Sequence, residues 1–144
     1  QLIMLQLTVT DIVAEAHNIH HPIAGDLYYE DQKDAAVRAA ENFREQRIPK
    51  FFAFFEDALT AHEGPFVLGS RWSHVDTSLF QLVEGLRYAF PLRMKAIEGD
   101  YPHLIACRDG GARLEGIEAY LASDRRMAFN EDGIFRHYPE LDAP

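Results

Sequence analysis

Three histidines near one another, His17, His20 and His21, are the residues in this chain best equipped for metal or proton chemistry. His17 and His21 stand four apart, one helical turn, so their imidazoles could share a metal ion, and Glu15 is close by. No distant third ligand with telling spacing follows. A histidine in the last turn of a helix is also what the helix dipole favours. The simpler reading is a helix end that lines a pocket, with no metal. Asp11 and Glu15, again one turn apart, could work as paired carboxylates, although such residues more commonly form a solvated face. Glu84 falls in a segment that should be buried, where a carboxylate needs a partner; Arg87, three residues on, predicts an ion pair. Cys107 is the lone thiol, which excludes an internal disulfide and suits a small packed residue in a reducing compartment. Ser73 and Asp76 have the spacing of a helix-capping box and are assigned to scaffold. No catalytic side chain is expected anywhere in the chain.

The elements that must position these residues read as helices. Leu2, Leu5, Val9, Ile12, Ala16 and Ile19 recur at steps of three and four, opposite Thr8, Asp11, Glu15 and Asn18, and Pro22 closes this first helix. After a loop over 24–29, a second helix is predicted from about Asp31 to Gln46 with Ala36, Ala40 and Phe43 inward. Pro49 should kink or restart it before the dense apolar face of Phe51, Phe52, Phe54, Phe55, Ala58 and Leu59. Phe66-Val67-Leu68-Gly69 is too short to be assigned as a strand. Ser73-His74-Val75-Asp76 then opens a helix to about Phe90 that is apolar nearly all round and therefore central. Gly85 inside it costs about 1 kcal/mol against alanine, which suggests that another backbone comes close. Pro91 stops that helix. Two shorter helices, near 101–107 and 114–122, are expected on either side of Gly110-Gly111. The tail from Asp124 carries Phe129, Phe135 and Tyr138, enough anchors to lie down on the helices.

Composition bounds what such a bundle does. Hydrophobic residues make up 47% of 144, too many for a disordered chain and enough for one continuous core. The formal net charge is −9, and no basic stripe interleaved with aromatics interrupts it, so phosphate backbones and anionic lipids are repelled. No apolar run approaches the roughly 18 residues of a membrane span. Nucleic acid and membrane are both excluded as expected partners. The chain opens at Gln1 already inside a periodic apolar pattern, without an initiator Met or a capping signal, so a preceding segment is expected.

Phe66-Val67-Leu68-Gly69-Ser70-Arg71-Trp72-Ser73-His74-Val75-Asp76-Thr77-Ser78-Leu79 resembles the signature of cytosolic glutathione transferases. There an apolar pair and Gly precede Ser/Thr-x-x-Asp at the start of the central helix of the C-terminal domain. Arg47 to Glu56 is similar to that family's long fifth helix. Glu15 to Ile23 and Asn130 to Pro139 resemble a microbial sigma-like subgroup. The stretch from Arg108 to Ile117, with three glycines, departs from the Arg-rich, Pro-containing pattern of that subgroup.

The resemblance implies that residues 1–144 form one all-α domain, a bundle of five to six helices around the central helix. In the family a thioredoxin-like N-terminal domain holds glutathione, the co-substrate, and carries the thiol-stabilising Tyr, Ser or Cys. A chain with the all-α half alone should be inactive, and should supply the pocket for a hydrophobic electrophile and part of a homodimer interface. Expected pocket residues are His17, His20, His21, Tyr28, Phe135 and Tyr138. Asp11 falls where families of this fold place an Asp against the γ-glutamyl amine of glutathione in the partner subunit, a charge-assisted contact. The intact protein is expected to be cytoplasmic and to conjugate glutathione or reduce peroxides. An alternative is a non-catalytic interaction module of a larger assembly. A third reading, a metal- or haem-binding bundle, would rest on the histidines.

Overall fold

Leu5, Val9, Ile12 and Ala16 are buried along one face of α1 (Leu2–Asn18), as their spacing requires. A computed structural model describes residues 1–144, and every regular element in it is helical. After a short 3-10 turn at Tyr29–Asp31 come α2 (Lys33–Asn42) and α3 (Ile48–Leu59), joined by a single π-helical turn, Phe43–Arg47. The fresh start expected at Pro49 is there: α3 begins at Ile48 with Pro49 in its first turn, directly after the π turn. Proline lacks an N–H, and its ring collides with the carbonyl one turn back. The backbone meets both demands by widening just ahead of it, so that the Ile48 N–H reaches back to Phe43 C=O. The two helices follow one another with only the π turn between them, and are counted below as one rod. Arg47, in the widened turn, donates Nε and Nη2 to the two carboxylate oxygens of Glu15 at 2.8 and 2.7 Å, tying the rod to α1. Glu15 is thus committed to an ion pair.

The central helix is α4 (His74–Ala89), packed against α1, α5 and α6. Its start is a built joint. The Ser73 hydroxyl accepts from Val75 N–H at 3.3 Å, while Asp76 Oδ2 accepts from Ser73 N–H at 2.7 Å and from the Ser73 hydroxyl at 2.8 Å. Asp76 is fully buried, and its other oxygen reaches outside the helix to accept from Val67 N–H at 2.8 Å. The apolar run before the helix is therefore a tight turn. Phe66 and Gly69 exchange backbone hydrogen bonds of 3.0 and 2.8 Å. Gly69 sits at φ +74°, where a Cβ would also meet Glu63 O at 2.8 Å, so only glycine closes this turn comfortably.

Pro91 ends α4 and also begins α5 (Pro91–Ile97), a helix the sequence reading did not foresee. At the first helical position the missing N–H has no partner to lose. Asp142, from the tail, accepts from the Leu92 and Arg93 N–H groups at 2.8 and 3.2 Å and so caps α5. The Gly110-Gly111 pair is a second correction: both glycines lie inside α6 (Pro102–Ala112), which continues past the predicted break. They are there for packing. A Cβ on Gly110 would sit 3.0 Å from the Phe66 ring, and one on Gly111 would sit 3.1 Å from Phe80 Cβ. Glu56, on α3, caps α6 by accepting from the His103 and Leu104 N–H groups at 3.0 and 2.8 Å. The last helix is α7 (Glu115–Leu121). With α2 and α3 counted as one rod, six rods surround or include α4, the all-α bundle expected.

The tail lies down as its aromatics suggested. Phe135 and Leu141 are buried, Tyr138 stacks on Tyr29 with ring centroids 3.8 Å apart, and Tyr29 donates to Glu140 at 2.9 Å. Arg44, from the π turn, donates to Leu141 C=O. Gly85 is explained by a side chain instead of a backbone: a Cβ there would lie 2.3 Å from the Phe135 ring.

Candidate functional site

Where α1 and α4 cross, their facing surfaces carry small and amide side chains, and the crossing does not close. Gln6, Val9, Thr10 and Val13 line one wall; Thr77, Ser78, Gln81 and Leu82 line the other. Ser78 Oγ donates to Gln6 Oε1 at 3.0 Å across the floor. The tail from Arg126 to Phe135, with Tyr120 of α7, forms a third wall around a cleft of about 700 Å³. That wall is held in place by ring contacts. Phe129 stacks on Tyr88 (5.1 Å between centroids, 16° between planes) and meets Phe135 edge-on at 6.3 Å. Tyr88 donates to Glu131, and Asp132 N–H closes a local turn onto Asn130 Oδ1 at 2.9 Å.

The lining decides what this cleft can do. It contains hydroxyls, amides, apolar side chains and one permanent cation, Arg126, with no carboxylate, imidazole or thiol. Such a site binds and orients an apolar molecule with polar edges. Its one phenol is Tyr120, on the α7 side.

The structure scatters the sequence-predicted residues. Phe135 lines the cleft. Asp11 is exposed on α1 and outside the lining, and Tyr28 is 78% exposed on the loop before the 3-10 turn. Tyr138 belongs to the clamp on Tyr29. His17, His20 and His21 gather at the end of α1, their ring centroids 4.8–5.2 Å apart, behind the cleft wall. Only His20 touches that wall, through Nε2 to Ile134 C=O at 3.1 Å. Its imidazole is 3% exposed, and burial lowers its pKa to about 4, assisted by the nearby charge of Arg136. Ser73 and Asp76 cap α4, away from the lining.

The sequence reading missed Gln6, Thr10, Ser78 and Gln81. Their signal was present as polar residues interrupting two otherwise apolar helix faces. Which two faces meet is a tertiary fact. Glu84 has the partner predicted, Arg87 at 3.2 Å, and a closer one from α6, Arg108 at 2.7 Å. Arg87 itself is held chiefly by both oxygens of Glu98 at 2.6 and 2.9 Å. This is a structural network joining α4, α6 and the 3-10 turn Glu98–Asp100 that follows α5.

Cys107 is fully buried and within 3.5 Å of Asp76 Oδ1. Burial and then the adjacent carboxylate push its thiol well above the ordinary range, so it has no thiolate to offer at neutral pH. In the native chain an aromatic disulfide reagent should titrate essentially no thiol over minutes, and one equivalent after addition of denaturant. A rapid full equivalent from native protein would put Cys107 at the surface and contradict this packing.

Comparison with known families matches residues 17–124, three quarters of the chain, to the family described as "Glutathione S-transferase, C-terminal domain". A search of curated proteins gave no match.

Proposed function

Because the chain belongs to the glutathione S-transferase C-terminal domain family, we propose that it is the substrate-binding and dimer-forming half of a glutathione transferase. The cleft between α1, α4 and the tail carries this reading: it is large enough for a drug-sized apolar molecule and is lined by apolar, hydroxyl and amide groups without a carboxylate, imidazole or thiol. A hydrophobic electrophile would lie against Val9, Val13, Leu82 and Phe135, its polar edge on the hydroxyl and amide groups of α1 and α4. Glutathione, held by a thioredoxin-like domain that also stabilises its thiolate, would attack the electrophilic carbon or be consumed in reducing a peroxide. The contribution of this chain is proximity and orientation. Asp11, exposed on α1, is available to a γ-glutamyl ammonium from a partner subunit, and the exposed apolar residues Ile3, Met4 and Leu7 lie on the same helix. A cytoplasmic homodimer of the sigma-like subgroup is the form in which these parts would work together.

The full-length polypeptide should conjugate glutathione to chlorodinitrobenzene or reduce cumene hydroperoxide. Ser78→Trp, which fills the floor of the cleft, should raise KM for the electrophile by about tenfold, equivalent to about 1.4 kcal/mol, with KM for glutathione unchanged. Failure to turn over either substrate, together with no retention on glutathione resin, would favour a non-catalytic interaction module instead.

A further inference from the structure

The three histidines behind the cleft wall do more than share a helix end. Helix α1 stops at Asn18, and the turn that follows carries Ile19 and His20 into the interior, each 3% exposed. This turn brings three imidazoles together, His17 and His21 stacked on each other and His20 edge-on to both. Their nitrogens can all be chosen within 4.8 Å of one another.

The hydrogen bonds decide which nitrogens are free. His20 Nε2 lies 3.1 Å from Ile134 C=O. A carbonyl only accepts, so Nε2 carries the proton and Nδ1 holds a lone pair. That Nδ1 is buried and has no hydrogen-bond partner. His21 Nδ1 lies 3.1 Å from Leu27 C=O, which by the same reasoning leaves Nε2 as its lone pair. His17 has no hydrogen bond that ties up either nitrogen and is partly exposed. One ring nitrogen fixed on a backbone carbonyl, with the other presented bare, is how proteins orient a histidine toward a metal.

We propose that His20 Nδ1, His21 Nε2 and a ring nitrogen of His17 form a binding site for a divalent transition-metal ion of the zinc class. Three imidazoles with no thiolate suit Zn²⁺, Cu²⁺ or Ni²⁺ and do not suit Mg²⁺ or Ca²⁺, which demand oxygen. At metal–nitrogen bonds of roughly 2.0–2.1 Å, tetrahedral ligands stand about 3.3 Å apart. The imidazoles must therefore draw together, and His17, partly exposed and with no hydrogen bond on its ring, is the one free to turn. Glu15, the carboxylate the spacing brings to mind as a ligand, is held by Arg47. The fourth position is left to water or an exogenous ligand. Because His20 also holds Ile134, which lines the cleft, a bound ion would pin the end of α1 and the tail together.

The test is calorimetric titration of chelator-treated, dialysed chain with Zn²⁺ and Co²⁺, alongside the Co²⁺ visible spectrum. One equivalent should bind, with a Co²⁺ d–d band characteristic of nitrogen ligation, and Mg²⁺ should give no heat. His17→Gln and His21→Gln, both at partly exposed positions that should not disturb folding, should each weaken Zn²⁺ binding about 10–100-fold. His62→Gln, at an exposed histidine elsewhere, should leave it unchanged. The proposal is overturned if no ion binds stoichiometrically, or if His17→Gln and His21→Gln bind as tightly as the parent.

Discussion

Replacing Asp76 with alanine should cost about 2–6 kcal/mol, a large part of the roughly 5–15 kcal/mol that holds a domain folded, and leave a broadened or lost unfolding transition. Asp76 is fully buried and has no cation beside it; its charge is balanced by donors alone. Two of these are backbone N–H groups, Val67 and Ser73, at 2.8 and 2.7 Å, and two are the Ser73 hydroxyl and the Cys107 thiol. Alanine would strand the two backbone donors in the interior at about 1–3 kcal/mol each. It would also sever the only side-chain tie between the Phe66–Gly69 turn and the start of α4. The intact Ser73 cap, by contrast, is worth about 1 kcal/mol as a helix start. Asp76→Asn should fall between: the shape survives, but its amide must point hydrogens at one of the donors. Urea or thermal unfolding followed by far-UV circular dichroism measures all of this. If Asp76→Ala melts like the parent, the carboxylate does not hold the joint and the account of the central helix is wrong.

Gly85→Ala should loosen the tail and open the cleft, although alanine is the better helix former. The gain in helix propensity is about 1 kcal/mol. Against it, the new Cβ would lie 2.3–2.5 Å from three carbons of the Phe135 ring, a distance no packed side chain tolerates. Forcing an extra carbon into a packed contact costs about 1–3 kcal/mol, and here the cheapest relief is for Phe135 to lift away. Trypsin should then cut at Arg125, Arg126 or Arg136 well before it attacks the helices, and faster than in the parent. Under the proposed transferase function the electrophile KM should rise as well, since Phe135 is part of the cleft wall. Pairing the change with Phe135→Ala tests the cause: the double variant should be less destabilised than the sum of the singles. Strict additivity, with unchanged tail cleavage, would mean that this contact does not hold the tail.

Much of the architecture is legible from local rules because local rules dictate it. The stripe from Leu5 to Ile19, the Ser73–Asp76 box and the near-uniform apolarity of 79–90 each specify a helix through backbone geometry and burial alone, and the structure contains each one. Proline and glycine were harder to read. Pro49 was absorbed by a π turn, Pro91 starts a helix as well as stopping one, and Gly110-Gly111 is a packing seam. The two glycines answer Phe66 and Phe80, neighbours from other elements that no short window of sequence contains, whereas both prolines are accommodated by local backbone choices that the apolar pattern leaves open.

The candidate site follows the same division. Residue type and spacing alone determined a helical bundle built on a capped central rod, an acidic surface, and a histidine cluster at one helix end. Only the tertiary structure decided that α1 and α4 cross with amides and hydroxyls between them, that the tail walls off the space, and that Glu15 belongs to Arg47. It also decided that His20 turns inward with one nitrogen bonded and the other bare. Periodicity records which face of a helix avoids water. It cannot record which other face comes to cover it, because that choice is made by shape and donor–acceptor matching between residues far apart in the chain.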